Sequence, residues 1–169
     1  ALAIVCADTE ANARAAAEKV KFDLELLPEY MDAPSAMAAD AIEIHPGTPN
    51  VYYEVHVAKG MDTESFFEPN DALVCVEDDF YTQRQPHLNI EPDVGFGYIN
   101  DKGQVVIHSK SIGLHLHALM IAPGLGLEFP KDLVMVQNTT GGTFGYKFSP
   151  TMEGLIGVAV MATGRPCHL

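Results

Sequence analysis

The residues with the clearest capacity for chemistry lie in a glycine-rich stretch, Thr139-Thr140-Gly141-Gly142-Thr143-Phe144-Gly145-Tyr146-Lys147-Phe148-Ser149, between an apolar strand pattern and a helical one. Glycine reaches positive φ and permits close backbone approach. Gly141, Gly142 and Gly145 therefore allow several N–H groups to converge on an anion or a metal-bound oxygen. The stretch lacks the Gly-Lys-Ser/Thr ending of a P-loop and the G-x-G-x-x-G spacing of a dinucleotide site. A plain tight turn is the other reading of the same pattern.

A second group, Gln85-Pro86-His87 through Glu91-Pro92, spaces an amide, an imidazole and a carboxylate along a β-like region. A buried glutamate beside a histidine can do acid–base work, but such groups also simply satisfy each other or a turn. The seven histidines raise the question of a metal. His115 and His117 are two apart on a predicted helix, so they point nearly opposite ways and share no ion. His87 and His108 belong to different elements. Neither a metal-ligand set nor a catalytic residue is assigned within the chain. There is no G-x-S-x-G elbow and no Cys–His pairing, so self-sufficient nucleophilic hydrolysis has no support. Cys6, Cys75 and Cys167 show no metal-ligand spacing. They are expected to be reduced and buried, which suits a cytosol-like compartment.

The elements that must position these groups read as follows. A strand is predicted over 2–7, then a helix over 10–19, capped by Asp8 or Thr9 and carrying a Glu10–Arg14 pair. Alternation over 20–26 predicts a strand ended by Pro28. A helical turn over 34–41, a loop over 45–49 and an extended linker over 51–71 follow. Strands are predicted over 72–82, 90–99 and 104–110, the last two joined by the Asn100-Asp101-Lys102-Gly103 turn. Ser111 is expected to cap a helix over 112–122, broken by Pro123-Gly124. A buried strand over 133–138 leads into the glycine loop. The final helix is expected to start at Pro150 under a Ser149 cap and to stop at Gly164. Gly154 and Gly157 inside it cost stability unless another backbone packs very close.

The composition narrows the classes further. Hydrophobic residues make up 47% of the 169, enough for a core, and 23 acids against 10 bases leave a net charge of −13. Nucleic acid is excluded as a partner, because phosphates must be neutralised by Lys and Arg. No apolar run reaches the ~18 residues of a membrane span. The chain opens on the strand pattern Ala1-Leu2-Ala3-Ile4-Val5-Cys6 without an initiator Met and closes where a further strand is starting. A segment of a longer subunit is therefore expected.

Together, Gln85-x-His87-x-x-x-Glu91-Pro92 and Gly141-Gly142-Thr143-Phe144-Gly145-Tyr146-Lys147 resemble the molybdenum hydroxylases of the xanthine oxidase family. The likeness is nearest to the bacterial aldehyde oxidoreductases within that family. It implies an α+β chain, with 1–58 the end of a hammerhead-like α/β domain plus linker and 59–169 the start of a mixed α/β molybdenum-binding domain. It places Gly142, Thr143, Phe144 and Gly145 against a molybdopterin cytosine dinucleotide, and Tyr146 and Phe148 at the substrate pocket. Phe148 stands where purine-oxidising relatives carry a glutamate, which favours aldehydes. Lys110 stands near a slot where many relatives carry a glutamine.

The implied reaction is hydroxylation of aldehydes to carboxylic acids with water-derived oxygen. The catalytic base and the [2Fe–2S] clusters would lie elsewhere in the enzyme. The implied partners are an aldehyde, the rest of the large subunit, an electron-acceptor protein and a second copy in a homodimer. A cytoplasmic location is expected, with a periplasmic one left open. The competing readings are a non-catalytic α+β scaffold or assembly module, and a purine or N-heterocycle hydroxylase.

Overall fold

The computed structural model of the protein describes residues 1–68 and 72–169. Residues 69–71, at the end of the predicted linker, lie outside the described residues. The chain divides into two units, one of residues 1–20 with 83–169 and one of residues 21–82. Its elements in chain order are α1 (Glu10–Ala17), α2 (Ala33–Ala36), α3 (Thr63–Phe66), β1 (Phe96–Ile99), β2 (Val105–Ser109), α4 (Leu114–Leu125), β3 (Leu133–Gln137), α5 (Glu153–Thr163) and β4 (Cys167–His168), with a 3-10 turn at Tyr146–Phe148. Helices beside one mixed sheet make this the expected α+β class.

In the first unit the sheet runs β3-β2-β1-β4. Asn100 builds the β1–β2 hairpin, its Oδ1 accepting from the N–H groups of Lys102 and Gln104. Gly103 supplies the positive φ that closes the turn. The strands then pair antiparallel, Gly97 facing Ile107. Strand β3 returns parallel to β2 through α4, with Val106 opposite Val134. Parallel neighbours need such a crossover. Helices α4 and α5 pack against each other, α4 against β3, and α5 against β1 and β2. Ile107, Leu133, Ile156 and Val160 lie fully buried between them. Each such side chain contributes about 1.5–3 kcal/mol.

Helix α5 comes close to β1. A Cβ on Gly97 would sit 2.7 Å from Ile156 Cγ2 and 2.9 Å from the Val106 carbonyl, so only glycine lets α5 settle onto this strand. At Gly157, by contrast, the tight neighbours are the side chains of Leu125, 2.7 Å away, and Ile107. The expected backbone approach is therefore a side-chain one, and at Gly154 the nearest atom, on Ile121, is at an ordinary 3.8 Å.

Several boundaries differ from expectation. Helix α4 runs through Pro123 to Gly126, whose φ of 69° and closing bonds to Ala122 and Pro123 end it. Packing of Leu125 against Gly157 draws the helix past its proline. Ser111 does not cap it; Gly113 precedes the first turn. Helix α5 starts at Glu153 and not at Pro150, because the Glu153 carboxylate takes the free N–H groups of Thr151 and Met152. Its predicted stop at Gly164 is correct. Thr9 caps α1 through the N–H of Asn12, as expected of that position.

The strands predicted over 2–7, 20–26 and 72–82 form no ladder among the described residues. Alternation makes a strand only where a neighbouring strand is available to pair. Cys6 and Cys75 are exposed and Cys167 is half-buried, so the expectation of buried thiols fails, although all three are free. No helix among the described residues is long and apolar enough to cross a membrane.

The second unit, residues 21–82, is organised by polar side chains. Asp32 and Asp62 cap the single turns α2 and α3. Asn50 donates to the carbonyls of Ala36 and Ile42 and accepts from the N–H of Ile44, while the Tyr30 hydroxyl accepts from the N–H of Ile42.

Candidate functional site

The glycine loop is held between β3 and the start of α5 by two different anchors. On the first side lies Glu91. Its Oε1 accepts from Lys110 Nζ at 2.8 Å. Its Oε2 accepts both from the Gly141 N–H, at 2.9 Å, and from Lys147 Nζ. The Lys110 ammonium, the Lys147 ammonium and the Gly141 N–H hold the Glu91 carboxyl far below its ordinary range, at about 2. The Lys147 side chain is only 2% exposed, and Asp93 lies 3.9 Å from its Nζ. The same Asp93 carboxylate, by charge and hydrogen bonding, raises the Tyr146 hydroxyl above its ordinary value. Thr140 donates its hydroxyl to the Lys110 carbonyl at 3.1 Å, tying the loop to the end of β2 once more.

On the other side lies His117, fully buried on α4. Its Nε2 donates to the Phe148 carbonyl at 2.9 Å, and its Nδ1 lies 3.7 Å from Glu153 Oε1. His115, two residues away, is exposed, so these histidines do face different ways. The acid–base pairing weighed for His87 and Glu91 is not formed. Glu91 turns to lysines, while the His87 ring packs 5.7 Å from Tyr146 and close to Gly145. Lys110 is likewise committed to Glu91.

Between the anchors the backbone takes an unusual path. Gly142, Phe144 and Gly145 have φ of 146°, 47° and 88°. A non-glycine residue at positive φ is uncommon and strained. The N–H groups of Tyr146 and Phe148 close onto the carbonyls of Thr143 and Gly145. The amides of Gly142, Thr143, Phe144 and Gly145 meet no acceptor among the described residues. Phe144, Tyr146 and Phe148 are exposed beside them. Such a donor set fits an anionic, oxygen-rich cofactor, because free N–H groups at successive positions of an irregular turn form an anion-binding concavity. An apolar groove of about 340 Å³ between α4 and α5 is lined by Ile121, Leu125, Leu155 and Val158, and by Pro150 and Thr151 just after the loop.

Sequence reasoning singled out the loop and Glu91 but missed what joins them. Lys147 inside the loop motif, a lone cation in an apolar context, was the available signal for an ion pair. The buried Glu153 beside His117 was missed as well. Its position next to a Ser-Pro helix start gave no sign that it, and not Ser149, would take the free N–H groups.

With this geometry in view, comparison with known proteins is specific. Residues 44–169 match the model of the molybdopterin cofactor-binding domain. The chain belongs to this family, within the molybdenum hydroxylases of the xanthine oxidase type. Over 99% of its length it is 67% identical to the aldehyde oxidoreductase of Megalodesulfovibrio gigas. It superposes on the crystal structure of the aldehyde oxidoreductase from Desulfovibrio desulfuricans with a TM-score of 0.91 and 80% identity, over 97% of this chain. In each case it spans only 18% of the relative's length. A more distant relative, the large molybdopterin subunit of nicotinate dehydrogenase from Eubacterium barkeri, is 28% identical over the whole chain and 39% covered.

Proposed function

We propose that this chain is a segment of a molybdenum-dependent aldehyde oxidoreductase and that its glycine loop holds the molybdopterin cofactor. The observation that carries the reading is the run of four amides, Gly142 to Gly145, without acceptors among the described residues and turned by three positive φ angles. The 67% identity to an aldehyde oxidoreductase points the same way.

When bound, the cofactor supplies the redox centre at which an aldehyde is converted to a carboxylic acid with water-derived oxygen. The chain's own residues bind and orient. The amides of Gly142, Thr143, Phe144 and Gly145 donate hydrogen bonds to the cofactor, and donors already held in place by the loop cost no reorganisation. Phe148 and Tyr146 shape the substrate side. A phenyl ring at Phe148 offers no carboxylate to the nitrogen atoms of a heterocycle, so aldehydes are the favoured substrates. The cytosine dinucleotide form of the cofactor, the [2Fe–2S] clusters, the electron acceptor and the homodimer belong to the whole enzyme in this reading. So does the catalytic base, while this chain itself divides into a hammerhead-like portion, 1–58, and the start of the cofactor-binding domain, 59–169.

The test is molybdenum and pterin analysis of the full-length parent, paired with aldehyde-dependent dye reduction. Stoichiometric molybdenum with aldehyde turnover supports the reading. Absence of both after cofactor supply leaves a non-catalytic scaffold, and turnover of N-heterocycles in place of aldehydes selects the nicotinate dehydrogenase type of activity.

A further inference from the structure

The Glu91 carboxylate stands between two ends of one short segment. A single oxygen, Oε2, accepts from the Gly141 N–H at the loop's entry and from Lys147 Nζ at its exit. The four amides that meet no acceptor among the described residues all lie between those two points in the sequence. We propose that Glu91 is the positioning residue for the cofactor loop, cinching its ends so that the amides of Gly142 to Gly145 converge. The proposal rests on the functional reading above and adds to it the residue that sets the donor geometry.

Three features separate this arrangement from an ordinary surface ion pair. First, Lys147 is 2% exposed, so its ammonium has no bulk water to turn to when the Glu91 carboxylate is lost. The remaining carboxylate within reach is Asp93, at 3.9 Å, and turning to it would draw Lys147 away from the Gly141 end of the loop. Second, the approach at Gly141 is close: a Cβ there would sit 3.2 Å from the Glu91 carboxyl carbon and from Oε1, so any side chain would push the carboxylate by a few tenths of an ångström. Third, Oε1 is occupied by Lys110 from the end of β2. Two cations on two oxygens fix the rotation of the carboxylate, and the sheet thereby references the loop. Phe144 at φ 47° shows that the segment is held in a conformation it would not choose by itself.

Glu91→Gln in the intact, cofactor-supplied parent tests this. The amide variant keeps the shape and an acceptor for Gly141 but loses the charge that holds both lysines. Hydrogen exchange over residues 141–148 is expected to accelerate ~10-fold or more, the size of losing a hydrogen bond to a charged group. Exchange in β2 and β3 should stay within a factor of about two, since those strands open only with the whole body. The Mo(V) electron paramagnetic resonance signal should shift, and kcat should fall ~10-fold with KM little changed, because donor direction matters most in the transition state.

Unchanged loop exchange together with an unchanged signal overturns the proposal. So does acceleration spread evenly over the sheet, which would make Glu91 a general support of the fold. Should Glu91→Gln not accumulate as folded protein, Lys147→Gln must give the same local pattern. Where both fold, the double variant must be no worse than the worse single one, and additive effects count against the proposal. A parent without molybdenum would sink the functional reading, while the exchange pattern would still decide the role of Glu91.

Discussion

The two units of the chain solve the same problem in different ways. In residues 83–169 the apolar pattern is matched by neighbours: Ile107 and Leu133 are fully buried, and so is His117. In residues 21–82 the apolar side chains stay outside, with Leu26 89%, Val57 84% and Phe80 91% exposed. Every buried core residue found among the described residues belongs to the first unit. What gives the second its local order is a few directed hydrogen bonds around Asn50 and Tyr30. Apolar area stabilises only where another surface covers it. A polar side chain that reaches two carbonyls can fix a backbone path without any core.

The contrast can be broken by substitution in the full-length parent, read as local hydrogen exchange. Leu133→Ala should give the largest effect, loosening the sheet and both helices by about 2–5 kcal/mol, since it empties a filled site. Gly97→Ala should cost about 1–3 kcal/mol by overpacking against Ile156 and Val106. In residues 21–82, Asn50→Ala should cost about 1–3 kcal/mol through lost hydrogen bonds, with the opening confined to residues 30–50. If Asn50→Ala instead proves silent, the polar tethers do not organise that unit.

The smallest effect should come from acid. The Glu91 carboxyl is depressed from 4.5 to about 2 by its lysine partners and the Gly141 N–H. A depressed carboxyl contributes stability that is present above its unfolded value and is lost as pH falls through the folded one. The difference in melting temperature between the parent and Glu91→Gln should therefore be constant above about pH 5, and shrink between about pH 4.5 and pH 2. A difference that already varies between pH 6 and pH 8 would mean that another group is responsible.

Local signals in the chain settled a good deal. The Asn100–Gly103 turn specified the β1–β2 hairpin, because Asn100 bonds its own turn and Gly103 takes the positive φ. Gly164 specified where α5 stops. The strand pattern over 133–138 and the cap at Thr9 were equally readable, since each depends on residues only a few positions apart. The glycine loop was legible as a special backbone for the same reason. So was its resemblance to the molybdopterin-binding family, which lies in short motifs.

Tertiary structure alone decided the rest, because it depends on groups far apart in the chain. Pro123 reads as a helix breaker, yet Leu125 finds Gly157 and the helix continues. The alternating segments 2–7, 20–26 and 72–82 read as strands but have no strand to pair with among the described residues. Glu91 reads as an acid–base residue beside His87, or as a group that satisfies that histidine or a turn. Only the fold brings Lys110, Lys147 and the Gly141 N–H to its two oxygens and turns it into the clasp of the loop. Sequence spacing fixes which groups can be neighbours along a turn; long-range packing fixes which charges meet, because a buried ammonium must find a carboxylate wherever the fold supplies one.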